Sequence, residues 1–276
     1  MRRWGGLPAG ARLISAGGPG PFVTHAVYEL DGVEREWDSR AHRKRGRFGA
    51  GVARASRTRA WWIAVLFMIG SACFAVGALP GYVSLVGVGA DGVTFFVGSI
   101  FFTSAGTLQF LEVANTSPSP DHRARPFRPA SWEPRRNDWL ATAVQLVGTV
   151  IFNVSTFRAM LDGLGAGPDE LLVWRPDALG SVCFLVASWL AFAEAGHGWL
   201  SWRPHDLGWT IAALNLGGSV FFGLSAIGAY VVPSTGELLS ATLANGGSFL
   251  GAIGFLVGAA LLLPEGSSSR KPAPGT

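Results

Sequence analysis

The sequence predicts an all-α, polytopic membrane protein: six transmembrane helices laid out as three parallel two-helix hairpin repeats. Three observations predict it. Stretches free of Asp, Glu, Lys and Arg run over 60–90, 92–111, 139–157, 178–193, 207–236 and 238–264. Two residue patterns then recur in step with those stretches. Trp, Gly nine on and Phe four further on occur as Trp61/Gly70/Phe74, Trp139/Gly148/Phe152 and Trp209/Gly218/Phe222. Gly, Phe four on and Glu ten further on alternate with them as Gly98/Phe102/Glu112, Gly180/Phe184/Glu194 and Gly251/Phe255/Glu265. With 49% hydrophobic and 14% charged residues, the chain is too apolar for an ordinary water-soluble domain.

Residues 1–59 read as a basic cytoplasmic N-terminal arm, partly disordered. The first twenty residues are rich in Gly, Pro and Ala without an apolar period. Phe22–Leu30 alternates weakly, as a short strand would, and ends at Asp31-Gly32, a turn signal. Glu34–Arg59 is expected to form an amphipathic helix with a basic face against anionic lipid headgroups. An isoelectric point of 9.6 alone would suit nucleic acid. A basic arm directly before an apolar span is better read as an orientation signal, so nucleic acid is not the expected partner. The first apolar stretch begins near residue 60, too late for a cleavable signal peptide, and should act as an uncleaved anchor.

Hairpin 1 is expected over 60–114, hairpin 2 over 138–196 and hairpin 3 over 197–265. A spanning helix needs about 20 apolar residues. The fourth stretch has only 16, so Asp177 or Glu194 should mark its polar boundary. Between hairpins 1 and 2, residues 115–137 hold five Pro and read as an extended Pro/Arg-rich linker. Residues 266–276 read as a disordered tail.

Charge fixes the expected orientation. Of the 22 basic residues, only Arg158 and Arg175 fall in the connections on the side opposite the arm. The positive-inside bias puts both termini in the cytoplasm, in a multi-pass inner membrane protein. Twenty Arg against two Lys suggest a bacterial source.

The repeated residues have physical roles to fill. Trp nine residues before Gly lies about 13.5 Å away along a helix, which suits an interfacial indole. Gly70, Gly98, Gly148, Gly180, Gly218 and Gly251, mostly followed by a small hydroxyl, are expected to pack helices closely, each with its Phe filling the space beside the notch. Gln145, Asn153, Asn215 and Asn245 are candidates for a polar core. Glu112, Glu194 and Glu265 lie at helix C-termini, where a carboxylate opposes the macrodipole. They are candidates for a cytoplasmic vestibule or a partner-docking ring, the alternative being pairing with linker arginines such as Arg136. Cys73 and Cys183 lie at like depth and read as inert small hydrophobes.

No catalytic, cofactor-binding or metal-binding motif is present, so an enzyme is not expected. No ionisable side chain is expected at mid-depth, which speaks against a proton-coupled pump. At Gly98-Ser-Ile-Phe-Phe102, Gly180-Ser-Val-Cys-Phe184 and Gly218-Ser-Val-Phe-Phe222, the chain resembles the YrhK-type membrane domain, a two-helix bacterial module found alone or in copies. The resemblance covers roughly 60–265. It implies membrane topology and no functional residues. The expected function is a non-enzymatic structural or partner-binding bundle, with the bilayer, a protein partner or a second copy as companions. The alternative is a small-solute or ion transporter or channel.

Overall fold

The computed structural model describes residues 7–45, 52–116, 132–167 and 170–268, with side chains over 7–42, 59–116, 132–167 and 173–263. Six helices are long and apolar enough to cross a membrane, and the protein is a multi-pass membrane protein. They are α2 (Val52–Gly77), α4 (Val88–Ala114), α5 (Asn137–Gly163), α6 (Glu170–Gly196), α7 (Leu207–Gly228) and α8 (Ala241–Ser268). In hydrocarbon every backbone polar group has to be satisfied within the segment, which is why these stretches fold as helices. A short helix α3 (Tyr82–Val86) lies between α2 and α4, and a small ribbon of β4 (Val231–Val232) and β5 (Glu237–Leu238) lies between α7 and α8.

Each long helix packs on the next in chain order, and α8 packs back on α2. The six therefore close into an up-and-down ring. Within each hairpin the glycines are the contact. A side chain on Gly70 would meet the Gly98 carbonyl oxygen at 2.9 Å, and one on Gly218 the Gly251 oxygen at 2.9 Å. One on Gly148 would meet the Cys183 Cβ at 2.7 Å and the Gly180 oxygen at 3.3 Å. The residue after each glycine is fully enclosed as well: Ser71, Ser99, Thr149, Ser181, Ser219 and Ala252 are each at most 2% exposed. Lipid offers no hydrophobic drive for pairing, so this close approach of small residues supplies the dispersion contact that does.

Over Val173–Gly196 the fourth span carries Asp177 toward one end and Glu194 toward the other, on either side of the charge-free stretch. Pro176 is accommodated within the helix near its start.

The described part of the N-terminal arm folds. Strands β1 (Arg12–Gly17), β2 (His25–Leu30) and β3 (Val33–Asp38) form an antiparallel meander, followed by helix α1 (Ser39–Arg45). The expected strand and turn lie at β2 and Asp31-Gly32. Both turn residues have positive φ, 56° and 75°, as a two-residue type I′ hairpin requires. The helix expected from Glu34 is not formed there: residues 33–38 pair with β2 instead. That pairing buries Trp37 beside Ala26 and Tyr28, a core the arm's polar composition hid. The expected disorder of the first twenty residues likewise gives way to β1 from Arg12. Helix α8 also continues through 266–268, where the disordered tail is expected to begin. The expected disorder of residues 1–6 and 269–276, and most of the Pro/Arg linker, 117–131, lie outside the described residues.

This meander caps the ring end formed by α5, α6 and the α6–α7 turn. Phe22 packs on Ala141 and Leu190. Ser39 Oγ donates to Glu194 Oε1 at 2.5 Å, and His197 Nε2 lies 3.1 Å from Asp38 Oδ2. Below, this is the cap end and the opposite one the far end.

Candidate functional site

The six Phe of the Gly–Phe units converge where the helices surround the ring axis. Phe74, Phe152 and Phe222, from α2, α5 and α7, form one triad with ring centroids 5.5, 6.0 and 6.2 Å apart. Phe255 of α8 joins Phe102 at 5.9 Å and Phe184 at 6.2 Å to make the second. Edge-on contacts of 5.5 Å for Phe74–Phe102 and 5.8 Å for Phe152–Phe184 join the triads, as does Phe222–Phe255 at 5.7 Å. Such tilted contacts are the favoured aromatic geometry. All six are at most 8% exposed. The void they enclose with Ser99 and Thr149 is apolar, with room for about one water. The axis is plugged.

The candidate amides divide. Gln145 and Asn215 lie seven residues before Phe152 and Phe222, hence two turns away on the same face, just to the cap side of the plug. Phe67 takes the same slot on α2 and packs on Phe102 at 5.6 Å. Asn153 is not axial: its Nδ2 donates to Thr103 Oγ1 of α4 at 2.9 Å. Asn245 is exposed. Other polar contacts also join neighbouring helices, with Ser99–Thr156 at 2.8 Å, Ser188–Ser219 at 2.7 Å and Ser225–Ser248 at 2.8 Å.

The three candidate glutamates have separate surroundings. Glu194 is 3% exposed and sits beneath the cap, bonded to Ser39. Glu112 is half-buried in the last turns of α4. Glu265 lies on α8, its side chain outside the described residues. The linker arginine expected near them works otherwise. Arg136 grips Asp138 with two bonds of 2.8 and 3.1 Å and Glu133 with one of 2.7 Å. Its guanidinium also donates to the carbonyls of Val113 and Thr116, at 3.3 and 3.2 Å, where α4 runs out of intrahelical donors. Burial pulls the Arg136 pKa down, but Asp138 and Glu133 outweigh it and hold the group charged more firmly than usual. It thus clamps the end of α4 to the start of α5.

The indoles also divide. Trp61 is 48% exposed, whereas Trp139 and Trp209 are 5% and 6% exposed. Their covers are Trp132 and Trp202, seven residues earlier, each with ring centroids 5.3 Å away. Among the described residues, the outer indoles of the cap end are thus Trp61, Trp62, Trp132, Trp199 and Trp202.

Sequence reasoning treated each Phe as a filler for its own notch and did not place six of them together. His197 ties the α6–α7 turn to the cap: its Nδ1 lies 3.4 Å from Thr24 Oγ1 while Nε2 faces Asp38. Among the described residues, no group of three His, Cys, Asp or Glu side chains could hold a metal ion. Cys73 and Cys183 are unbonded thiols set against Gly98 and Gly148. No protein-family model, curated protein or solved structure matches the chain.

Proposed function

We propose that the protein is a non-enzymatic bundle of the inner membrane, serving as a structural or partner-binding platform rather than a conduit. The observation that carries this reading is the double Phe triad across the ring axis, with only a small apolar void among its rings. The far smaller charge count beyond the far end supports placing both termini in the cytoplasm. Equivalent glycine contacts in the three hairpins support reading them as copies of one YrhK-like unit. The working surface is then the cap, together with the Arg-rich segments on either side of hairpin 1, facing anionic lipid, a protein partner or a second copy.

The test is flux through the purified full-length chain in sealed vesicles. Ion and small-solute flux should match that of protein-free vesicles. A Gln145→Cys variant, with Cys73 and Cys183 replaced by Ala to keep their Cβ contacts, should react with an impermeant thiol reagent from one side only. Saturable flux, or labelling from both sides, would overturn the platform reading in favour of transport.

A further inference from the structure

Two turns to the cap side of the Phe plug, the inward positions of the six long helices form a second layer. Seven residues from each plug Phe, they are Phe67, Gln109, Gln145, Ala191, Asn215 and Leu262. Three of the six are carboxamides, one each on α4, α5 and α7, so they reach the axis from different sides. Among the described residues, none of the three amide groups hydrogen-bonds another part of the chain. Asn153, off the axis, instead uses its donor on Thr103 of the neighbouring helix. Gln109 Oε1 is enclosed without a partner, and such a carbonyl is costly unless something donates to it. Asn215 leans toward α8, where Gly258 leaves room for it: a Cβ there would lie 2.5 Å from Asn215 Oδ1.

The amide layer lies between two packed ones. The plug is its floor. One further turn toward the cap, eleven residues from their plug Phe, come Ile63, Val113, Ala141, Ala195 and Ile211, all at most 6% exposed. Phe22 of the cap packs on Ala141 of this collar. Gln109, Gln145 and Asn215 nevertheless each keep part of their surface open. An inward side chain between a plug and a collar is open to space inside the ring. That space has amides on three sides, Phe rings beneath and no charged side chain at any of these positions. A carboxamide presents a donor and an acceptor side by side, and a molecule with the same pair complements it. A charged guest would shed water and meet no counter-charge. The Phe floor and the apolar collar suit a short hydrocarbon body.

We propose that the ring holds a binding pocket, between plug and collar, for a small uncharged amide or urea-like molecule recognised by Gln109, Gln145 and Asn215. The plug closes the pocket toward the far end, so its guest enters and leaves at the cap end. This goes beyond the platform reading. Flux through the ring decides that reading, whereas occupancy of the pocket decides this one.

The test is saturation-transfer NMR on the full-length protein in lipid nanodiscs, with empty nanodiscs as the blank and propionamide as the probe. Propionamide should bind saturably, and its charged counterparts propionate and propylammonium should not. Gln145→Leu and Asn215→Leu should each weaken binding about tenfold, as the loss of one enclosed hydrogen bond does. Asn245→Leu, at an exposed amide, should leave it unchanged. A second readout needs no change to the amides. In an Ala191→Cys variant with Cys73 and Cys183 replaced by Ala, propionamide should slow labelling by a small uncharged thiol reagent. No saturable binding, equal binding of the charged counterparts, or full binding after Gln145→Leu with Asn215→Leu would each overturn the proposal. Should the Leu variants fail to fold, protection of Cys at position 191 decides alone, and unchanged labelling there would overturn it.

Discussion

Gly218→Ala and Gly217→Ala differ by one position and should differ in sign. A Cβ on Gly218 would lie 2.9 Å from the Gly251 carbonyl oxygen and 3.0 Å from the Phe255 ring. The oxygen belongs to a helical backbone and cannot turn aside. Helices α7 and α8 must separate by a few tenths of an ångström, and the same movement pulls Phe255 off Phe222. Overpacking of this kind costs about 1–3 kcal/mol. A Cβ on Gly217 would meet nothing within 4 Å.

Both substitutions bring the same gain in helix propensity, about 1 kcal/mol in water. In detergent the unfolded reference keeps much of its helix, so most of that gain cancels. Gly217→Ala should thus be neutral or slightly stabilising, and Gly218→Ala should lose about 1–3 kcal/mol. The assay is reversible unfolding in mixed micelles, followed by the fluorescence of the eleven Trp. Equal stability of the two variants would refute the reasoning, because the backbone approach would then not be what binds the hairpin.

Arg136→Met should destabilise the chain by about 3–5 kcal/mol, since Asp138, only 8% exposed, keeps its charge but loses its guanidinium. In the same unfolding assay, Arg136→Met with Asp138→Leu should recover most of that loss, and no recovery would count against the ion pair as its source. Ser39→Ala takes one donor from the enclosed Glu194 carboxylate and should weaken cap docking by about 1–3 kcal/mol. Limited proteolysis between α1 and α2 should then proceed faster, while the unfolding midpoint of the ring stays put.

The spans were legible because hydrocarbon tolerates so few charges that charge-free stretches mark them out. On the fourth, the same rule set Asp177 and Glu194 at the ends of the charge-free stretch but gave no sign that Glu194 is bonded to Ser39 of the cap. The Gly–Phe periodicity foretold notches and fillers, a property of one hairpin. That six Phe meet depends on ring closure, which is set by contacts between hairpins and has no local signature. The cap was hidden for a related reason. Strand β3 buries only Trp37 along its length, so alternation was too weak to separate it from a helix with a basic face.

Ring closure also leaves one seam different from the others. Between α6 and α7, Ser188 bonds Ser219 at 2.7 Å, and between α4 and α5, Ser99 bonds Thr156 at 2.8 Å. In the proposed repeat, Ser71 of α2 occupies the slot of Ser219, one after its glycine. Ala259 of α8 occupies the slot of Ser188, eight after its own. Ser71 Oγ is enclosed without a hydrogen-bond partner, and Ala259 has no hydroxyl to offer. The seam that closes the ring therefore lacks the hydroxyl pair that its counterpart has. Ala259→Ser should supply it and add about 0.6 kcal/mol, the usual worth of such a bond between membrane helices. The gain should vanish when Ser71→Ala is introduced as well, and this coupling, measured as a double-mutant cycle, separates the bond from any general effect of Ser on α8. A gain that survives Ser71→Ala, or a loss from overpacking at this 4%-exposed position, would show that α8 and α2 do not meet in the register of α6 and α7. The threefold reading of the chain would go with it.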